Sequence, residues 1–141
     1  MYYISAFVAI LGAVGYQYFV KQIPESINPV VSVLGIYVAA LVLGLFLLPL
    51  IPPEGGILKH IRQISWIQLA VAGSVILLEL GFLLMYRSGW NLSIGNLVTG
   101  VFINIILVGL GVWLLGEKIS LVNGIGAVLS IIGVALISFK A

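Results

Sequence analysis

The chain has 141 residues, of which 62% are hydrophobic and 7% charged, and its mean hydropathy is +1.30. A soluble domain carries about 25% charged residues, so this composition excludes a water-facing surface; the apolar surface has to face lipid, where it needs no polar cover. The formal charge of +2 decides little, the absence of cysteine excludes disulfides and thiolate metal sites, and at about 20 apolar residues per crossing the length leaves room for five spans with short loops.

The first predicted span covers residues 3–20. Its apolar run begins at Met1 with no basic leader and shows no small-x-small cleavage site, so it reads as a retained span and not as a signal peptide. Ser5, Ala9 and Gly12 line up on one of its faces, and Tyr16 and Gln17 near its end are candidate pocket residues. Residues 21–28, with Lys21, Pro24 and Glu25, interrupt the run. The second span, 29–51, carries Ser32, Gly35 and Ala39 on one face. The break at 52–64 holds Pro52, Pro53, Gly55, Gly56, Lys59, His60 and Arg62. Proline and glycine end helices, and charges resist hydrocarbon. His60, the single histidine, reads as a solvated loop residue.

The third predicted span, 65–86, is the most informative. Glu79 lies deep inside it, where a carboxylate costs about 2.5–3.5 kcal/mol on insertion scales. Such groups face a bundle interior or a watery cavity and are functional candidates by default. At about 100° per residue, Glu79 shares a face with Gln68, Val75, Phe82 and Tyr86. Ala70, Gly73, Ser74 and Gly81 form a small-residue seam on the far side. The expectation is that the seam packs and the face with Gln68, Glu79 and Tyr86 lines a cavity. As a carboxylate, Glu79 is suited to binding a cation or exchanging it for a proton. The structural alternative is a glutamate that stays protonated or bonds a neighbouring helix.

A short polar turn at 87–91 leads to the fourth span, 92–115, where Asn96, Gly100 and Asn104 fall within about 80° of one another. Two amides on one face can read polar groups of a substrate or hydrogen-bond across helices. Gly116, Glu117 and Lys118 close this span. Glu117 is expected to be structural, favouring the N-terminus of the fifth span at 120–139. That last span has its own small-residue line, Gly126, Ser130 and Gly133. Apolar runs without period-two alternation exclude a β-barrel. Tyr2, Tyr3, Trp66, Tyr86, Trp90 and Trp113 sit near span ends, where aromatic belts form. No metal-ligand spacing, phosphate-cradling glycine loop or catalytic triad is present, so no cofactor is expected, and the basic loop is too small to argue for nucleic acid.

Five spans place Lys59, Arg62 and Lys118 on the N-terminal side of the membrane and Lys21, Arg87 and Lys140 on the other. Orientation follows the Lys/Arg bias of short loops, and here that bias is nil. One reading is dual topology, with copies inserting both ways; the other is chance in a chain with six such charges.

The stretch from Met85 to Gly89, the fourth span, Gly116-Glu117-Lys118-Ile119-Ser120, Asn123-Gly124-Ile125-Gly126 and Gly133-Val134-Ala135-Leu136-Ile137 together resemble an EamA-type domain of the drug/metabolite transporter superfamily. The resemblance covers essentially the whole chain and implies an all-α, polytopic, five-helix unit of the prokaryotic plasma membrane. Typical members carry two such units of opposite orientation in one chain. A single unit therefore implies a half-size transporter that pairs with an inverted copy of itself, as the small multidrug resistance proteins of the superfamily do. Those proteins keep their carboxylate in the first helix, whereas this first span has no acid. The resemblance implies alternating-access transport of a small organic solute, a metabolite or cationic compound. The expected pocket residues are Glu79, Gln68, Tyr86, Asn96, Asn104 and Tyr16. A subunit that works only with a different chain and a non-transporting scaffold are the rival readings. An enzyme is disfavoured, since a lone glutamate supplies no nucleophile–base pair.

Overall fold

The computed structural model of the protein describes residues 2–118 and 120–138. They form α-helices α1 (Tyr2–Gln22), α2 (Pro29–Leu47), α3 (Ile57–Ile61), α4 (Trp66–Arg87), α5 (Leu92–Leu115) and α6 (Leu121–Ser138). By length and composition α1, α2, α4 and α5 are each able to cross a membrane, and α6 contributes a shorter apolar segment, Leu121–Ile137. At about 1.5 Å per residue, the 18 residues of α6 fall slightly short of the roughly 30 Å hydrocarbon core. The expected end of the fifth span at Phe139, and Lys140 in the charge count, lie outside the described residues.

Local chemistry explains most helix ends. Asn28 caps α2: its side-chain oxygen accepts from the N–H groups of Val30 at 2.9 Å and Val31 at 3.3 Å, and Pro29 takes the first helical position, where a missing N–H costs nothing. The helix stops at Leu47 and not at 51 as the apolar run suggests, because Pro49 cannot donate the next intrahelical bond; the N–H groups of Leu50 and Ile51 turn back to the Leu47 carbonyl instead, both at 3.0 Å. The expected loop at 52–64 contains the one-turn helix α3, entered through Gly56 at φ 88°. His60 Nε2 there lies 2.8 Å from the Glu54 carbonyl oxygen. The α5 helix ends at Gly116, which takes the left-handed conformation (φ 65°) that side chains disfavour.

The chain forms two compact units, Met1–Ser88 and Gly89–Ala141. In the first, α4 packs against both α1 and α2; in the second, α5 packs against α6. The core of the first unit is small, with Val20, Val33, Leu83 and Tyr86 as its buried apolar members. Most of the large apolar side chains are exposed, Tyr3 (84%) and Trp113 (83%) among them. In water such a surface would aggregate, whereas in a bilayer it meets lipid without penalty. Trp66, Trp90 and Trp113 are exposed near helix ends, as an aromatic belt requires.

The packed face of α4 is the reverse of the expected one. Glu79, Leu83 and Tyr86 are buried, Val75, Leu80 and Phe82 are half-buried, and Ala70, Gly73, Ser74 and Gly81 are exposed. A Cβ added at Gly12, Gly35, Gly73 or Gly81 would meet nothing within 4 Å. The seam serines turn inward on their own helices: Ser74 donates to the Ala70 carbonyl and Ser130 to that of Gly126, both at 2.9 Å. The first unit is joined by large aromatic side chains that reach across, not by small residues that let backbones approach.

Candidate functional site

The contact of α4 with α1 and α2 gathers most of the polar and aromatic chemistry of the first unit. On α1, Tyr16 and Gln17 are half-buried, and the Tyr16 ring meets Phe82 of α4 edge-on, with centroids 6.2 Å apart. Phe82 stacks on Tyr86 one turn later at 6.1 Å, with ring planes 24° apart. The Tyr86 hydroxyl donates to Gln17 Oε1, and Lys21 Nζ sits 5.7 Å from the centroid of the Tyr86 ring. Contacts at positions 16, 17 and 21 of α1 therefore pair with 82 and 86 of α4. The C-terminal halves of the two helices meet side by side and run the same way.

Glu79 lies one turn before Phe82 on the same packed face. It is 7% exposed and is the buried charged residue among those described. Tyr37 of α2 is the third wall, half-buried and, like Tyr16, close enough to the Glu79 carboxylate to interact with it electrostatically. Glu79 Oε2, the Tyr16 hydroxyl and the Tyr37 hydroxyl are all buried, and none has a hydrogen-bond partner. Buried polar atoms are paired in the great majority of cases. Glu79 Oε2 and two tyrosine hydroxyls, one group from each of three helices, are thus left unpaired in the first unit.

At the end of α4, the Arg87 guanidinium closes the cluster on the loop side. Its Nη2 donates to the carbonyls of Pro24 at 3.0 Å and Ile27 at 2.8 Å, tying the α1–α2 loop to the end of α4. Two carbonyls take its Nη2, while its buried Nε has no partner, so Arg87 acts as a brace between the loop and the helix end.

Gln68 stands apart from this cluster. It is the third residue of α4 and completes a capping box with Ser65: its Oε1 accepts from the Ser65 N–H at 2.8 Å and from the Ser65 hydroxyl at 3.0 Å, while Ser65 Oγ accepts from Ile67 N–H at 3.3 Å. It shares the Glu79 face, but eleven residues separate the two, about 16 Å along the axis. Asn96 and Asn104 belong to the second unit. Asn96 is exposed, and its carbonyl lies 3.3 Å from the Thr99 hydroxyl, which also donates to Gly95 at 2.7 Å. Asn104 lines a cavity of about 70 Å³ with Val101, Ile105, Val108, Ala127 and Ser130. A neighbouring cavity of about 270 Å³, lined from Val98 to Ala135, is wholly apolar. Glu117 folds back on the end of α5: its N–H donates to the Gly111 carbonyl at 3.0 Å, and a Cβ at Gly111 would lie 2.5 Å from its Oε2.

The model of the EamA-like transporter family matches residues 1–139. The chain belongs to this family. No curated protein and no solved structure gives a significant match. EamA membership makes this an integral membrane protein of the drug/metabolite transporter superfamily. Of the residues singled out from the sequence, the structure brings together Tyr16, Glu79 and Tyr86, with Gln17 beside them. Tyr37 escaped sequence reasoning. Its only signal was a hydroxyl in the middle of the most apolar span, and a tyrosine in a membrane helix is unremarkable until its hydroxyl is found buried and unpaired.

Proposed function

We infer that the protein is a half-size secondary transporter of a small organic solute, with five crossing helices including α6, working by alternating access in the plasma membrane of a prokaryote as an antiparallel pair of identical chains. The observation that carries the reading is the Glu79 carboxylate, buried at the junction of three helices and flanked by unpaired tyrosine hydroxyls. Intramembrane carboxylates of this kind mark substrate and proton pathways, and inverted repeats around a midplane site are a recurring architecture for transport. Pairing with an inverted copy is supported by the even split of Lys59, Arg62 and Lys118 against Lys21, Arg87 and Lys140. Glu79, Tyr16, Tyr37 and Tyr86 form the binding locus, with Asn96 and Asn104 as further candidates from the second unit and Gln68 at the helix entrance.

Flux of candidate solutes into proteoliposomes, compared for wild type and Glu79→Gln at several pH values, tests the transport role. Solute-dependent flux that is lost in the variant supports it, and flux indifferent to Glu79 sinks it. Cysteine labelling of the 52–64 loop in intact cells tests the pairing. Dual insertion predicts labelling from both sides and a single orientation once two lysines are added to one set of loops; one-sided labelling of the native chain rules it out.

A further inference from the structure

The segment between α2 and α4 carries an amphipathic pattern that the solute site does not use. Both helices are long and apolar enough to cross the membrane, so the segment returns the chain at one membrane surface. Its helical winding outlasts α3: the Arg62 N–H donates to the Leu58 carbonyl at 3.3 Å, that of Gln63 to His60 at 3.0 Å and that of Ile64 to Ile61 at 3.2 Å. At about 100° per residue, Ile57, Ile61 and Ile64 fall on one face within about 60° of one another, with Leu58 at its edge. Lys59, Arg62 and Gln63 fall on the opposite side. All four apolar side chains are exposed, from 45% at Ile57 to 71% at Leu58.

The apolar face is continuous with the lipid-facing surface on both sides of it. Leu50 and Ile51 before the segment are exposed, and so is Trp66, which opens α4 immediately after it. A tryptophan at a span end marks the headgroup level. The charges match the same surface: Lys59 and Arg62 outweigh Glu54, the one acid of the segment. His60 Nε2 is engaged by the Glu54 carbonyl at 2.8 Å, which fastens the winding to the turn before it. A segment with apolar residues on one side and Lys/Arg on the other lies in the plane of the membrane interface.

We propose that residues 57–64 form an interfacial anchor in the headgroup layer, with Ile57, Ile61 and Ile64 among the acyl chains and Lys59 and Arg62 on the phosphates of anionic phospholipids. The contact goes beyond the transport reading and does not depend on it. It is available in either orientation of the chain, because the segment stays at a surface wherever α2 and α4 end.

The test uses the full chain in phosphatidylcholine nanodiscs. The chain has no cysteine, so Ile61→Cys and Gln63→Cys each take a single bimane fluorophore, one on either face of the winding. The quenchers are phosphatidylglycerol and phosphatidylcholine with a nitroxide high on one acyl chain, titrated into the discs. Strong quenching is expected at Ile61→Cys and weak quenching at Gln63→Cys. Equal quenching at the two positions overturns the proposal, as does no quenching at either, the result expected if a second copy or water covers the face. At Ile61→Cys, nitroxide-phosphatidylglycerol is expected to reach half-maximal quenching at a lower mole fraction than nitroxide-phosphatidylcholine, by roughly fivefold for each of the two cations. In the same labelled chain, Lys59→Gln with Arg62→Gln is expected to abolish this preference, and Lys59→Arg with Arg62→Lys to retain it. Equal potency of the two lipids, or a preference that survives the double glutamine variant, also overturns the proposal.

Discussion

The two units solve the same problem, joining apolar helices in lipid, with opposite materials. In the first, α4 meets α1 and α2 through tyrosines, a phenylalanine, a glutamine and a buried carboxylate. In the second, the cavities along α5 and α6 are lined by valine, isoleucine, alanine and phenylalanine, with Asn104 and Ser130 as the polar exceptions. Apolar helices gain nothing from the hydrophobic effect when they associate in lipid, so packing and hydrogen bonds decide which faces meet. The second unit relies mainly on packing. The first leaves three oxygens unsatisfied in a low-dielectric setting, which opposes stability. Among the described residues the buried oxygens left without a partner all belong to the first unit, which supports the proposal that the solute is met there.

The largest expected effect breaks that asymmetry directly. Glu79→Leu replaces an unpaired buried carboxyl with an apolar side chain of similar reach, making the first unit resemble the second. Replacing buried ionic groups by apolar ones is often neutral or stabilising by about 1–4 kcal/mol. The variant is expected to unfold no more easily than wild type in a thermal assay in detergent, while solute flux falls by at least about tenfold, the worth of one charged hydrogen bond. A variant that loses fold and flux together would mean that Glu79 holds the helices together.

The pH response sharpens the same contrast. Glu79 is the carboxyl at the cluster; the phenols of Tyr16 from α1 and Tyr37 from α2 interact with it, and Tyr86 lies two turns on along α4, with Lys21 over its ring. A proton on Glu79 removes the charge that attracts a cation, so proton and cation compete. Apparent affinity for a cationic solute is expected to fall as the pH is lowered, and Glu79→Gln to flatten that dependence, because linkage requires a group whose proton affinity changes with occupancy. Equilibrium binding at a series of pH values measures both. Affinity that rises on acidification would contradict the competition.

Smaller effects follow at the edges. Arg87→Leu removes two charge-assisted bonds to the α1–α2 loop and is expected to cost about 1.5–3 kcal/mol in reversible unfolding, with Arg87→Lys intermediate, because an ammonium cannot reproduce the planar fork. In the second unit, Asn104→Leu is expected to change stability by less than about 1 kcal/mol, the usual range for a polar contact between membrane helices. Gly111→Ala crowds only the far end of the flexible Glu117 side chain, so its expected effect is within about 0.5 kcal/mol. A cost several times larger at Asn104 would show that the second unit also depends on polar contacts.

The membrane class, the existence of every long helix and most of their boundaries were legible in the sequence, because composition and uninterrupted apolar runs have few physical solutions. Exceptions had local causes: Pro49 shortened α2, and the glycine-bounded segment at 57–61 wound into a single helical turn. Glu79 was legible too, since a carboxylate thirteen residues into an apolar helix is costly wherever the helix goes. Gln68 shows the opposite case. Its place on the Glu79 face followed correctly from helical periodicity, but periodicity says nothing of depth, and at the third position of the helix its amide closes the capping box with Ser65. What the tertiary structure alone decided was which face of α4 turns inward. In water, the apolar face must be buried and sequence pattern settles the matter. In lipid, the seam of Ala70, Gly73, Ser74 and Gly81 is as comfortable outside as in, so the choice rests on whether Tyr16, Tyr37, Phe82 and Tyr86 fit together around Glu79, and that fit exists only once three separate helices are in place.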